Sequence, residues 1–373
     1  MRTVLVTGGA GYVGSHTCLR LMQAGFTPVV YDNLSNGHRQ FVRWGPLEIG
    51  DIRDVSRLNE VFARHRPVAV MHFAALIEVG ESTRDPGQFF DNNVGGAITL
   101  IEAARRAGVR NMVFSSTCAT FGTPRSMPMC EDHPQDPLSP YGRTKLMIEQ
   151  ALWDYARYLQ FHAACLRYFN AAGADPQGRI GEQHEPETHA IPIAIEVAQR
   201  LRPHFTIFGD DYDTPDGTAI RDYVHVMDLA EAHVLALKRL LDGAEACAYN
   251  LGTGTGTSVR ELIDGVAAVS GRPVPTLIAA RREGDPPVLV GDNRKALKEL
   301  GWSPQHDLPS ILASAWRWHE ARRQAWDDES VLSRLNPRQR ARAIGIDAPR
   351  DEARPEGEER DRTSRGPGPL WAS

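Results

Sequence analysis

This chain predicts an α/β fold: a doubly wound parallel sheet with a smaller α/β domain towards the C-terminus. Three observations point to it. Short β-branched runs alternate with segments of helical period from residue 3 to about residue 170. A glycine turn follows the first of those runs, and beyond residue 170 the texture changes to longer loops rich in Pro, Gly and acids. Residues 1–170 are therefore expected to form the first domain, with some later segments returning to it, and residues 171–320 mainly the second. Residues 327–373 are crowded with Arg, Glu, Pro and Gly and have little apolar periodicity, which reads as a mobile, disordered tail.

The first strand, Thr3 to Thr7, runs into G8-G-A-G-Y-V-G14 and then a helical stretch that stops at Gly25. Gly9 and Gly11 are expected to allow the tight turn and the close approach of backbone to a pyrophosphate, and Gly14 to let helix and strand touch. T27-P-V-V-Y-D32 is a second buried strand, whose terminal acid lies about 20 residues beyond the glycines, where a carboxylate binds both ribose hydroxyls. A 2′-phosphate would meet that charge, so Asp32 and Asn33 point to NAD. The fold is then of Rossmann type.

The pattern repeats. E48-I-G-D-I ends a strand at Asp51 and Ile52, which are placed to border an adenine, and 54–65 is an amphipathic helix. V68-A-V-M-H-F-A-A is another buried strand, whose Ala74 and Ala75 leave room for a cofactor, and 88–107 reads as one long helix with Gly108 at its end. N111-M-V-F-S-S-T brings the hydroxyls of Ser115, Ser116 and Thr117 to a strand end. There they either cap the loop or relay a proton.

Next is S139-P-Y-G-R-T-K145, where Tyr141 and Lys145 leave one face of a helix four residues apart. An ammonium beside a phenol favours the phenolate. Lowering the tyrosine from ~10 to about 7 takes roughly 4 kcal/mol, which the lysine and a positively charged nicotinamide together supply. Such a phenolate is a base for an alcohol whose hydride leaves for a cofactor.

The remaining signals are weaker. D175-P-Q-G-R-I-G-E-Q-H-E-P-E-T-H carries His and Glu residues but no helical H-x-x-x-H pair, so no metal is expected. Arg221, Arg281 and Arg282 have planar forks suited to a diphosphate. L251-G-T-G-T-G-T-S resembles a phosphate loop, but Ser258 and Glu261 have capping-box spacing and no ribose acid follows, so it reads as a helix cap.

With a net charge of −5 there is no basic field for nucleic acid or an anionic membrane. The apolar run in M-R-T-V-L-V-T-G-G is too short for a signal peptide, and no stretch approaches the ~20 apolar residues of a span. Cys18, Cys118, Cys130, Cys165 and Cys247 are odd in number and scattered without C-x-x-C, which implies reduced thiols and a cytoplasmic location.

T7-G-G-A-G-Y-V-G-S-H-T, D32-N-L-S-N-G, S115-S-T, Y141-G-R-T-K, L166-R-Y-F-N-A-A-G and R281-R-E-G-D, in this order, resemble the extended short-chain dehydrogenase/reductase superfamily. Within it, the chain from about residue 2 to 320 is similar to the UDP-glucose (UDP-galactose) 4-epimerases. The resemblance implies Tyr141 as the base for the 4-hydroxyl of a UDP-sugar, Lys145 on the nicotinamide ribose and lowering the tyrosine pKa, and Thr117 on the reacting oxygen. It implies a tightly bound NAD contacted by Gly8, Gly11, Tyr12, Val13, Gly14, Asp32, Asn33, Asn36, Gly37, Asp51, Ile52, Phe73, Ala74, Ala75, Asn92 and Phe169. Asn170, Phe208, Arg221, Arg282 and Asp285 would hold the UDP-sugar. In such enzymes hydride leaves C4, the 4-keto sugar turns over, and hydride returns to the opposite face. Relatives commonly form homodimers through the helices here at 88–107 and 140–159.

The sequence departs from the family pattern at Ile77, where some relatives carry lysine, and at Phe121, a frequent tyrosine. Leu289 stands at a wall position that limits entry of N-acetylated sugars. Dehydratases of the same fold place an Asp-Glu pair where this chain has Cys118 and Ala119. A decarboxylase would need a pocket for a sugar carboxylate, and a silent NAD sensor would have no use for a base.

Overall fold

The computed structural model describes residues 2–282 and 284–334. Residues 1–321 make one compact unit; of the second, 322–373, the described part is the end of the last helix.

In chain order the strands are β1 (Arg2–Thr7), β2 (Phe26–Asp32), β3 (Leu47–Ile49), β4 (Ala69–His72), β5 (Asn111–Thr117), β6 (His162–Tyr168), β7 (Asn170–Ala172), β8 (Phe205–Phe208), β9 (Ile220–Arg221), β10 (Tyr223–His225), β11 (Cys247–Leu251), β12 (Thr257–Ser258), β13 (Thr276–Ala279) and β14 (Val288–Leu289). The α-helices are α1 (Tyr12–Gln23), α2 (Val55–His65), α3 (Val79–Arg84), α4 (Pro86–Phe89), α5 (Gly96–Arg106), α6 (Pro140–Leu159), α7 (Ala190–Ala198), α8 (Val226–Leu241), α9 (Val259–Ser270), α10 (Arg294–Leu300) and α11 (Leu308–Arg334). Residues 327–334, expected to open the tail, thus continue α11; the rest of that segment lies outside the described residues.

Seven strands form one parallel sheet in the order β11-β6-β5-β4-β1-β2-β3. This is the doubly wound arrangement, with the order reversing between β1 and β4. Strands buried on both faces explain the near-continuous apolar runs of Val4–Val6 and Val29–Tyr31. One side is packed by Cys18 and Leu21 of α1 with Leu229, Ala232 and Leu237 of α8, the other by Leu58 and Phe62 of α2, Leu100 and Ile101 of α5 and Ile148 and Leu152 of α6. A separate cluster joins α7, α9 and α11 through Ile191, Ile195, Leu262, Val266, Ile311 and Leu312. Small sheets of two or three strands accompany it: β7 with β10, β12-β9-β14, and β8 with β13.

Two local features bear on the cleft. The helix expected over 88–107 is interrupted: Phe90–Gly95 forms a π-helical turn between α4 and α5. A Cβ on Gly96 would meet Ile52 Cδ1 at 2.5 Å, so the backbone there passes directly against the end of the β3 region. In the glycine loop, Gly8 takes a positive φ, +72°. A Cβ on Gly8 would lie 2.5 Å from the Ala74 nitrogen, and one on Gly14 would lie 2.2 Å from the Gly8 carbonyl, which is the tight helix–strand contact expected of Gly14.

His16, His72, His225 and His233 are each almost wholly buried, and burial lowers their pKa values to about 4, 3, 3 and 4. An unfolded histidine titrates near ~6.5, so below that pH the unfolded chain binds protons the folded chain refuses. Their contribution is complete above pH ~6.5 and is lost as pH falls towards about 4 for His16 and His233 and about 3 for His72 and His225, at up to roughly 1.4 kcal/mol per pH unit for each ring. The carboxylates beside His184 and His189 raise those two rings, which oppose the loss over the same window. The four lowered rings outweigh them, so the urea midpoint should drop between pH 7.5 and pH 5.5; a midpoint that rises would contradict neutral burial.

Candidate active site

A cavity of about 470 Å³ opens at the carboxyl ends of β1, β4 and β5, where the strand order reverses. Its floor is the glycine turn. Gly11, Tyr12, Val13 and Gly14 line it at the start of α1, whose N-cap Gly11 offers no side chain, so the first amides of the helix are left for an anion. Asp32 lines the β2 side, 7% exposed, with one carboxylate oxygen accepting from Ala10 N (3.0 Å) and the other from Leu34 N (2.8 Å). Burial raises its pKa, and those two amides oppose the shift. Gly37 is held against it: a Cβ there would be 2.8 Å from Asp32 Oδ1. These features fit a dinucleotide, with diphosphate at the helix start and ribose at the acid.

The cavity gathers nearly the whole expected cofactor set: Gly8, Asn33, Asn36, Ile52, Phe73, Ala74, Ala75, Asn92 and Phe169 line it as well. Asp51 alone of that set does not. Arg53 grips both its oxygens (2.9 and 2.8 Å) and holds its pKa down at about 2, and Asn33 Nδ2 bridges it to the rim at 3.3 Å.

Thr117, Tyr141 and Lys145 converge on the same cavity. Ser139 caps α6 by accepting from Gly142 N (3.1 Å), Pro140 occupies the first turn, and the helical register then aims Tyr141 and Lys145 inwards. A Cβ on Gly142 would come within 2.5 Å of the Ala119 carbonyl, so this glycine lets α6 lie against the loop after β5. Lys145 is 3% exposed and its Nζ donates to Ser115 O at 2.9 Å, 5.9 Å from the centre of the Tyr141 ring.

The expected electrostatics need correction here. Burial pushes the Tyr141 phenol above its ordinary value, Tyr168 adds to this, and the Thr117 hydroxyl opposes it. Burial also takes Lys145 itself down to about 7. Within the protein alone, the lysine therefore does not make the tyrosine acidic; desolvation outweighs it.

Of the expected substrate residues, Asn170 lines the cavity, and its Nδ2 donates to Asp222 O at 3.0 Å. Phe208, Arg221, Arg282 and Asp285 do not. They meet one another instead: Arg282 stacks over Phe208 at 4.0 Å, and Arg221 pairs with Asp285 at 2.5 Å. Arg281 turns away to Asp211 and the Tyr212 ring, so the three arginines do not converge. Leu289 is opposite Arg221 in the β9–β14 pair, Ile77 lines the cavity, and Phe121 is buried beneath the Arg167 guanidinium. The L251-G-T-G-T-G-T-S segment forms the expected capping box at the start of α9.

Sequence reasoning missed three features. Tyr168 reaches the Ser115 hydroxyl at 2.5 Å. Behind Lys145, the fully buried Glu149 receives Ser116 Oγ (2.5 Å), Arg167 Nε and Nη2 (2.9 and 2.6 Å) and Gln135 Nε2 (3.1 Å). Glu149 stands one helical turn beyond Lys145, a spacing that would have placed it on the same face. Finally, no metal was expected in the 175–189 loop, yet its curvature rather than any helical period brings Glu182, His184, Glu187 and His189 together.

The sequence profile of the NAD dependent epimerase/dehydratase family matches residues 4–252. A UDP-glucose 4-epimerase of Rhizobium meliloti (strain 1021) is 61% identical over 321 residues, 86% of this chain and 98% of that protein. Among solved structures, UDP-glucose 4-epimerase from Brucella ovis in complex with NAD superposes with a TM-score of 0.84 at 49% identity, covering 85% of this chain and 98% of that one. UDP-glucose-4-epimerase from Stenotrophomonas maltophila, with bound NAD and formylated UDP-arabinopyranose, gives 0.85 at 44% identity over 87% and 100%. A reversing parallel sheet, an uncapped glycine turn facing a buried acid, and a tyrosine–lysine pair in the same cleft are thus joined by extended likeness in sequence and structure, and the chain belongs to the NAD dependent epimerase/dehydratase family.

Proposed function

We propose that this chain interconverts the C4 epimers of a UDP-sugar, with UDP-glucose and UDP-galactose as its pair, using an NAD that stays bound. The observation that carries this reading is the convergence of Tyr141, Lys145 and Thr117 on the cavity that also holds the glycine turn and Asp32. When bound, NAD supplies the acceptor and donor of hydride for C4. The chain's own residues do the rest. Tyr141 Oη takes and returns the proton of the 4-hydroxyl, and the Thr117 hydroxyl holds the reacting oxygen. Lys145, fixed on Ser115 O, binds the nicotinamide ribose. Asp32 holds the adenosine ribose and the start of α1 the diphosphate. Asn170 and the Phe208, Arg221, Arg282 and Asp285 group hold the UDP-sugar.

On this reading residues 1–170, joined by β11, carry the cofactor, and 171–320, with a hydrophobic cluster of their own, mainly the sugar nucleotide. Pairing through helices 88–107 and 140–159 into a homodimer is supported by α6, which leaves Met147, Tyr158 and Leu159 exposed. Five free thiols support a cytoplasmic location, and no helix among the described residues is long and apolar enough to cross a membrane.

The test is to incubate the purified protein with each UDP-sugar, without added NAD, and follow the 4-epimer by NMR. Turnover with endogenous cofactor is expected, fastest for the glucose/galactose pair. A protein that carries no nucleotide and is inactive on every UDP-sugar would overturn the reading.

A further inference from the structure

The loop between β7 and α7 holds a cluster that the proposed chemistry does not use. Glu182 is 4% exposed, and the Glu187 side chain is 6% exposed. Two carboxylates so far from water need positive charge close by. Arg179, the guanidinium on this loop, pairs with Asp175 at 2.6 Å, and Arg202, beyond the end of α7, donates to the Glu187 main-chain carbonyl and pairs with Glu196, so neither is paired with these two carboxylates. What faces them is a pair of imidazoles. His189 Nδ1 lies 3.1 Å from Glu182 Oε1 and 3.0 Å from Glu187 Oε1; His184 Nδ1 lies 3.5 Å from Glu182 Oε1 and 3.7 Å from Glu187 Oε2.

The two rings differ in a way that identifies what the cluster is built for. His189 Nδ1 is in hydrogen-bond geometry with Glu187. His184 Nδ1 is buried and has no hydrogen-bond partner, although both carboxylates are within 4 Å. A protonated imidazole seeking an ion pair would direct its N–H at one oxygen. This nitrogen instead lies between one oxygen of each carboxylate, 3.5 and 3.7 Å away, in hydrogen-bond geometry with neither.

We propose that Glu182, His184, Glu187 and His189 form a binding site for a divalent transition-metal ion, Zn²⁺ before others. The four ligand atoms all lie within 4.8 Å of one another, and the N···O separations, 3.1 and 3.5 Å to Glu182 Oε1, 3.0 Å to Glu187 Oε1 and 3.7 Å to Glu187 Oε2, bracket the edge of about 3.3–3.5 Å in a tetrahedron with bonds near 2.0–2.1 Å. Closing on an ion therefore asks for a contraction of at most roughly 1–1.5 Å. Two imidazoles with two carboxylates suit Zn²⁺ and disfavour Mg²⁺ and Ca²⁺, which prefer all-oxygen sets. Two carboxylates also cancel a dication's charge, so the filled site is neutral inside the protein.

The loop is already held for this. Trp318 Nε1 donates to Glu182 O at 2.8 Å, His38 Nε2 meets Gln183 O at 3.1 Å, and the Thr188 and His189 amides both donate to Glu187 Oε1 at 2.8 Å. His189 is also the N-cap residue of α7, and Glu182, His184 and His189 line the main cavity. With four protein ligands the site is of the closed, structural kind. The ion would tie the loop to the first turn of α7 and set one wall of the cleft, without entering the chemistry.

The test uses untagged full-length protein, dialysed against a chelator and then titrated with Zn²⁺ alone, and in parallel with Co²⁺. Elemental analysis after gel filtration should give close to one Zn²⁺ per chain. The Co²⁺ form should show the visible absorption of a four-coordinate site, and the thermal midpoint should rise with Zn²⁺. His184→Ala and Glu187→Gln should each weaken Zn²⁺ binding at least tenfold. Failure of the parent protein to take up either ion stoichiometrically would overturn the proposal, as would equal binding by the His184→Ala/Glu187→Gln double variant. Should those variants not fold, Zn X-ray absorption on the parent protein decides: two imidazoles on the metal support the site, none refutes it. No readout depends on sugar turnover, so the result is separable from the proposed activity.

Discussion

Replacing Tyr141 by Phe is expected to lower turnover of the UDP-sugar by roughly 10³-fold, about 4 kcal/mol of barrier, while the bound NAD remains. The hydroxyl is the one group removed. The ring that lines the cavity stays, as do the α6 cap, the Lys145 link to Ser115 O and the glycine turn that receives the diphosphate. Burial and Tyr168 hold the phenol above its ordinary pKa, so proton removal by the protein alone is unfavourable. A bound oxidised nicotinamide would supply positive charge that favours the phenolate, and Tyr141 and Lys145 line the cavity that would hold it. Activity by the coupled assay and nucleotide released on acid precipitation, measured on the same sample, check both halves. A loss of less than tenfold would mean that another group is the base.

The largest expected effect on stability lies behind that site. Glu149→Leu should destabilise the fold by about 3–5 kcal/mol, because it leaves Arg167 charged and unpaired in the interior. The Arg167 side chain is 5% exposed and that of Glu149 not at all, and the pair shares three contacts of 2.6, 2.9 and 3.2 Å. Ser116 and Gln135 would also lose their acceptor. Removing both charges, as Glu149→Leu with Arg167→Met, should recover most of the loss, since the desolvation of the pair disappears with the pair. Urea unfolding of the two variants decides: if the double variant is no more stable than the single one, the effect comes from packing around residue 149 and not from an orphaned guanidinium.

Much of this could be read along the chain. The sheet was legible because strands buried on both faces are written as uninterrupted apolar runs. The cleft was legible because Gly8 to Gly14, Asp32 and Tyr141 with Lys145 are local patterns whose spacing follows from backbone geometry. What the sequence hid depends on contacts between distant segments. That Gly8 has no room for a side chain is set by the backbone of Ala74, some 66 residues away. The π turn at 90–95 interrupts a segment whose composition is helical throughout. Likewise, a lysine four residues from a tyrosine says nothing about the Ser115 carbonyl that accepts its hydrogen bond, nor about the burial that reverses the expected shift. The Glu182–His189 cluster has no period at all, since a loop and not a helix brings its members together.

Strand β11 has a consequence for how the protein is made. It pairs along β6 and closes that margin of the central sheet, yet it is translated roughly 80 residues after β6 ends. At ~5–20 residues per second a nascent chain would carry an open, apolar sheet margin for on the order of 4–16 s. Ribosome-bound intermediates that end between residues 170 and 245 are thus the ones most in need of a chaperone, and truncations in that interval should aggregate where the full chain does not.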